Sequence, residues 1–120
     1  MEKVLHFQQL EAWKEAHKLV LMVYRTTKDF PSEERFGLVS QMRRAAISIP
    51  ANIAEGFKRR GLQEKIRFYN MAESSLEELK YFFILSKDLE YISSDDDLMA
   101  QAERVGRLLN GLINSTERRQ

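Results

Sequence analysis

The stretch VSQMRRAAISIPANI, residues 39–53, sets Val39, Met42, Ala46, Ile49 and Ile53 at steps of 3, 4, 3 and 4. Such steps keep the apolar side chains on one face of a helix of about 3.6 residues per turn, whereas a strand would alternate its faces every second residue. The pattern is that of a bundle seam, and the helix carrying it is expected to run from about Glu33 to about Arg60. Pro50 falls inside it, where it cannot donate to the Ala46 carbonyl and its ring crowds the preceding turn. A kink is expected there, with Ser48 and Asn52 placed to satisfy the freed backbone.

The segments on either side repeat the pattern. Upstream, Asp29-Phe30-Pro31-Ser32 reads as a stop followed by a start: Pro31 ends one helix, Ser32 caps the next, and Glu33 and Glu34 suit its positive N-terminal end. The first helix then runs from about Phe7 to Lys28. Leu10, Trp13, His17, Val20 and Tyr24 trace its seam, and Ala12, Ala16, Leu19 and Val23 widen it. Downstream, Gly56 and Gly61 bracket the second break, with Gly61 the expected left-handed residue closing helix two. Helix three spans about Leu62 to Tyr91, with a seam of Leu62, Ile66, Tyr69, Ala72, Leu76, Leu79 and Phe83 and extra apolar surface from Phe82, Ile84, Leu85 and Leu89. The run Ser93-Ser94-Asp95-Asp96-Asp97 combines a cap with acids in a first turn and opens helix four, about residues 95–114, with Leu98, Ala102, Val105, Leu109 and Leu112 inward. Gly106 and Gly111 inside it each cost about 1 kcal/mol relative to alanine, which close helix approach or a locally soft helix would explain. Short breaks between long helices make neighbours antiparallel, so the expected fold is all-α: one domain, residues 1–120, forming an up-down-up-down four-helix bundle.

Composition agrees with this reading. A chain of 120 residues buries one core. With no cysteine there is no disulfide framework, thiolate zinc site or cysteine nucleophile. Charged residues make up 31% and Gly and Pro only five and two positions, a balance suited to long solvated helices. No apolar run reaches the length of a membrane span and the N-terminus lacks a signal-peptide pattern, so a cytoplasmic location is expected.

The chain offers no catalytic constellation. A carboxylate-bridged metal pair in a bundle requires Glu-x-x-His motifs, and none occurs. The two histidines, His6 and His17, lack helical zinc spacing, and His17 reads as a core or interface histidine. Neither a nucleophile elbow nor a Gly-rich phosphate loop is present. Glu73, Glu77 and Glu78 alternate with Leu76, Leu79 and Lys80 as a solvated helix face would. No enzymatic activity, cofactor, metal or small-molecule substrate is expected.

Charge is distributed unevenly. Residues 41–67 hold seven basic and two acidic side chains, whereas residues 68–120 hold six and ten. The basic block comprises Arg43, Arg44, Lys58, Arg59, Arg60, Lys65 and Arg67. Such a cluster can neutralise phosphates, making these the candidate nucleic-acid-binding residues. The same side chains also suit structural roles, Arg43 and Arg44 as ion-pair partners and Lys58 to Arg60 as cations at a helix C-terminus.

The stretch Arg43 to Gly56, RRAAISIPANIAEG, resembles the signature of the bacterial four-helix bundle proteins encoded by intervening sequences within 23S ribosomal RNA genes. The frame is similar too: Phe7, Leu10 and Trp13 near the start, Phe30-Pro31 before helix two, then Phe68-Tyr69 and AESSLEEL, residues 72–79, on helix three. The resemblance implies a kinked bundle assembling as a ring-like homopentamer without catalytic activity. It also implies kinship with accessory proteins of diversity-generating retroelements, which bind nucleic acid together with a reverse transcriptase. Those proteins are strongly basic, whereas this chain has a formal net charge of +1. Within the motif, Ile49, Pro50, Asn52, Ile53 and Gly56 are implied to form the kinked segment, with Arg43, Arg44 and Glu55 at its polar edge.

Broad apolar stripes on helices one and three also exceed what one bundle interior covers, which independently favours self-association. Two readings remain open at this level. One is a homo-oligomeric scaffold whose basic rim contacts RNA or a nucleoprotein of the reverse-transcriptase type. The other is a purely protein-binding assembly module whose arginines serve intersubunit ion pairs.

Overall fold

The computed structural model describes residues 3–119 and contains four α-helices: α1 Glu11–Thr27, α2 Leu38–Lys58, α3 Leu62–Asp88 and α4 Asp96–Glu117. Short 3-10 turns at Phe7–Gln9 and Ser32–Glu34 precede α1 and α2, and no strand occurs among the described residues. Each helix packs on the next and α4 returns to α1, closing a rod of 46 × 23 × 19 Å around one core.

Four helix ends differ from the sequence expectation by three residues or more, one of them the end of α4, which runs on to Glu117 rather than stopping at about residue 114. Helix two begins at Leu38 rather than Glu33 because Ser32–Glu34 tightens into a 3-10 turn and Gly37 leaves helical geometry at φ −109, ψ −109. Its cap is not Ser32. The Glu34 carboxylate accepts the Leu38 N–H at 3.2 Å through one oxygen and the Tyr91 hydroxyl at 2.8 Å through the other. Helix one begins at Glu11 rather than Phe7, since the Gln9 side chain holds the preceding turn by accepting from the Leu5 and His6 N–H groups at 2.7 and 2.9 Å.

Helix three stops at Asp88, where Glu90 turns left-handed at φ 65 and the Tyr91 and Glu90 N–H groups reach back to the Ser86 and Lys87 carbonyls, each at 2.9 Å. This is the crossed bonding of a Schellman ending, with glutamate where glycine is normal. A left-handed L-residue costs about 1–2 kcal/mol. Glu90→Gly is therefore expected to stabilise the fold by about 0.5–1 kcal/mol, after the unfolded-state entropy of glycine is subtracted, as a rise in the urea midpoint at constant slope.

Gly61, expected to be left-handed, is extended at φ −79, and no described glycine has positive φ. Helix two is closed instead by the Lys65 ammonium, which donates to the Phe57 and Gly56 carbonyls at 2.6 and 3.4 Å. Gly56 is no turn former either; it lies inside α2, buried.

The core face of α1 is also displaced. Ala12, Ala16, Leu19, Val23 and Thr27 are buried, while Trp13 and Val20 are half-buried and His17 and Tyr24 exposed. Of the bulkier stripe, Leu10, Trp13 and Val20 pack half-buried along the edge of the core, and His17 and Tyr24 face outward. His17 is thus not a core histidine; it stacks on Trp13 at 5.1 Å between ring centroids. On α2 the seam Val39, Met42, Ala46, Ile49 and Ile53 is buried throughout, flanked by Leu38, Ala45 and Pro50. Pro50 lies within a helix continuous from Leu38 to Lys58. Asn52 donates to the Ser48 carbonyl at 2.8 Å, not to Ala46, and the Ser48 hydroxyl meets that of Ser75 on α3, also at 2.8 Å. Further along, the Ser86 hydroxyl lies 3.4 Å from the Met42 sulfur, and Gly56 sits against Tyr69.

A polar clamp joins α1 to α4. Glu15 accepts from the Gln101 amide at 3.0 Å and the Arg104 guanidinium at 2.9 Å. The Gln101 bond, with Arg104 and Lys18, holds the Glu15 carboxyl below its ordinary value despite the opposing effect of burial. A depressed carboxylate contributes stability that is present above its unfolded pKa and lost as pH falls through the folded one. Glu15→Gln is therefore expected to weaken the acid dependence of urea unfolding below about pH 4.5, the carboxyl's reference value.

Candidate nucleic-acid interface

The α2–α3 connection gathers five of the basic candidates, Lys58, Arg59, Arg60, Lys65 and Arg67. Lys58, Arg59, Arg60 and Arg67 are exposed. Helix two ends at Lys58 and α3 starts at Leu62, so the side chains of both ends fan out over one end of the rod. Aromatic rings underlie them. The Arg59 and Arg67 guanidiniums sit 4.6 and 5.1 Å from the centroid of the same Phe68 ring, and the Lys65 ammonium lies 5.4 Å from that of Phe57. A cation over an aromatic face gains about 0.5–1 kcal/mol at exposed sites and loses little of its ability to meet an anion on its outer side. Arg59 and Arg67 also touch Glu55 and Glu64 at 3.0 and 3.2 Å, exposed pairs of small energetic weight that a phosphate can displace.

The structure adds a cation that the sequence blocks concealed. Burial, and then repulsion from Arg119 at the C-terminal end of α4, pushes the Lys65 ammonium below its ordinary value. Arg119 belongs to a segment acidic overall, and only folding brings it to the basic end. A signal was present in the sequence: the pair Arg118-Arg119 falls where α4 ends, and cations there favour the helix dipole.

Arg43 and Arg44 do not join this cluster. They lie about 22 Å away along α2, at about 1.5 Å per residue. The Arg43 guanidinium donates to the Thr27 hydroxyl at 3.0 Å and covers the Tyr24 ring at 4.4 Å, while Arg44 borders a groove shared with Ser75 and Glu78. The rod's other end is acidic, with Asp29, Asp96 and Asp97 lining a groove of ≈ 600 Å³. Of the motif residues, Ile49, Pro50, Ile53 and Gly56 are buried, Asn52 half-buried and Glu55 exposed. Ile49 and Ile53 belong to the shared core and Gly56 meets Tyr69 of α3, while Asn52 bonds back to Ser48 within α2. Among the described residues no group of three or more His, Asp or Glu side chains is placed to hold a metal, and no helix is long and apolar enough to cross a membrane.

The family model described as 23S rRNA-intervening sequence protein matches residues 8–111. The chain belongs to that family. No curated protein sequence matches it. Among solved structures it is similar to a protein of unknown function from the S23 ribosomal protein family of Bacteroides thetaiotaomicron VPI-5482, with TM-score 0.76 and 20% identity over 85% of this chain and 97% of that one. At that identity the likeness concerns the fold alone. The match takes in all of α1 to α3 and most of α4, so it spans the buried motif of α2 and the α2–α3 connection and ends before Arg119.

Proposed function

We propose that this member of the 23S rRNA-intervening sequence protein family is a non-enzymatic homo-oligomeric scaffold whose basic end contacts RNA or a nucleoprotein partner. The observation carrying this reading is the convergence of exposed cations on aromatic supports at the α2–α3 connection, joined by Arg119 from α4. The two guanidiniums held over Phe68 are oriented before a ligand arrives, which reduces the ordering cost of each phosphate contact.

Within this reading the bundle runs up-down-up-down. Cross-helix contacts support it, pairing Met42 with Ser86, Ser48 with Ser75 and Gly56 with Tyr69 as numbers rise on α2 and fall on α3. Helix two bends at Pro50, where a backbone bond to Ala46 is impossible. The bundles close into a ring, a homopentamer by the family resemblance, located in the cytoplasm. A ring repeats the basic end around an axis and makes a modest patch multivalent. The resemblance to retroelement accessory proteins suggests a reverse-transcriptase-type nucleoprotein as one partner.

Titrating labelled RNA with the purified protein at rising salt tests this. Binding is expected to weaken steeply between about 50 and 200 mM salt, and the combined change Arg59→Glu, Arg60→Glu, Arg67→Glu, all at exposed positions, to abolish it while light scattering still finds the oligomer. Arg119→Glu alone is expected to lower both affinity and the magnitude of the salt slope by about one contact. Salt-independent or absent binding by the unaltered protein overturns the RNA reading. The second reading, an assembly module that binds only protein, draws on the engagement of Arg43 with Thr27 and Tyr24. It wins if the three reversals dissociate the oligomer.

A further inference from the structure

We propose, resting on the RNA reading above, that the basic end takes base-paired RNA through its phosphate backbone alone, and that Phe68 positions two guanidiniums there instead of stacking a base.

The side chains at this end separate paired from unpaired RNA. Proteins that hold single strands stack successive bases on open aromatic faces and bond to the exposed base edges. No such face is offered here. Among the described residues, none of the exposed large hydrophobic side chains falls between Ile47 and Met71. Phe57 and Phe68 are half-buried, each with a cation over its ring, and Tyr69 is 1% exposed. The most open aromatic side chain, Phe36, precedes α2, whose other end carries the cluster.

What the end does offer is charge in fixed places. Lys58 and Arg59 close α2, Arg67 stands in the second turn of α3 and Arg119 follows the end of α4, so three helix ends present the cations. Lys65 is engaged inward, donating to the Phe57 carbonyl at 2.6 Å. Arg59 and Arg67 share one ring, at 4.6 and 5.1 Å from the Phe68 centroid. A guanidinium carries its donors in its own plane, so a face laid on a ring leaves the N–H edges for phosphate oxygens. The two acids among the cations, Glu55 and Glu64, are taken up by these same arginines at 3.0 and 3.2 Å.

Fixed cations suit a rigid row of phosphates. A double helix carries about one phosphate per 1.7 Å of its axis, and a lone strand about half that density. Across an end of 23 × 19 Å, the duplex therefore brings roughly twice as many phosphates within reach. It also arrives already ordered, whereas a flexible strand pays for its ordering and finds no ring on which to recover the cost.

The test titrates the protein into three labelled RNAs of about 20 nucleotides, namely an adenylate strand, a uridylate strand and the duplex they form, and follows anisotropy. At about 100 mM salt the duplex is expected to bind about tenfold more tightly than either strand. A duplex of mixed sequence should match it within about twofold, because no base is read. Phe68→Leu keeps the apolar contact and removes the ring face. It is expected to weaken duplex binding about threefold at an unchanged salt slope, since the slope counts phosphate contacts and not their orientation. Both strands should lose the same factor. If circular dichroism shows that this variant loses helix, Arg59→Lys with Arg67→Lys replaces it, keeping charge and removing the planar stack, with the same expectation. The proposal is overturned if either strand binds as tightly as the duplex, or if Phe68→Leu weakens the strands and spares the duplex. Absence of binding to all three RNAs overturns the RNA reading underneath, a result visible with the unaltered protein.

Discussion

Gly56→Ala should destabilise the bundle by about 2 kcal/mol, lowering the thermal midpoint by about 8 °C. Alanine is the better helix former, and at a solvated position inside α2 the exchange would gain about 1 kcal/mol. Tertiary packing reverses the sign. A Cβ at residue 56 would lie 2.6 Å from the Tyr69 Cε1 and 2.9 Å from its Cδ1, with the Phe68 Cβ at 3.1 Å. The ring has no room to retreat, since Tyr69 is only 1% exposed. Relief therefore requires α2 and α3 to separate, and that loosens contacts along their whole shared face. Urea unfolding monitored by circular dichroism checks the prediction. An unchanged or raised midpoint would mean that the helices do not meet as closely as described.

Tyr69→Ala should cost about 3–5 kcal/mol, the range for removing a large buried aromatic side chain. The loss combines apolar surface returned to water with the void left beside Gly56. The two sites are in contact, so their effects should not add. With the ring gone, Gly56→Ala no longer clashes and regains its helix-propensity advantage; in the Tyr69→Ala background it should be neutral or stabilising. A double-mutant cycle is expected to give a coupling of about 2 kcal/mol or more. Simple additivity would place the source of the Gly56 requirement elsewhere than in Tyr69.

These effects show where local reasoning works on this chain and where it stops. The α2 seam was legible because five apolar residues at helical steps admit one face only, and all five are buried. On α1 two adjacent stripes compete, one rich in alanine and one in large side chains. Hydrophobicity alone favours the second. Close packing against α2 and α4 selects the first for the fully buried positions, while Trp13 packs half-buried at the edge of the core and His17 and Tyr24 stay exposed.

The candidate interface was half legible. Lys58 to Arg67 are neighbours in sequence and remain so in space. Arg43 and Arg44 belong to the same sequence block but are carried down the rod by the rigid length of α2. Arg119 is distant in sequence yet arrives beside Lys65. The signal for Gly56 was equally indirect, because a glycine near a helix end reads as a turn former unless the facing ring is known.

The sequence by itself determined the number of helices, the seam of α2, the existence of the three breaks and the chemical character of the α2–α3 connection, since each depends on residues within a few turns of one another. Tertiary structure alone decided which stripe of α1 faces the core, why residue 56 must lack a side chain, that Glu34 rather than Ser32 caps α2, and which cations share an end of the rod. The reason is one of range. Periodicity is set along a single helix, whereas burial, clash, charge clustering and the choice of cap depend on what a neighbouring element brings to the same point in space, as Tyr91 does to Glu34 and Lys65 to the end of α2.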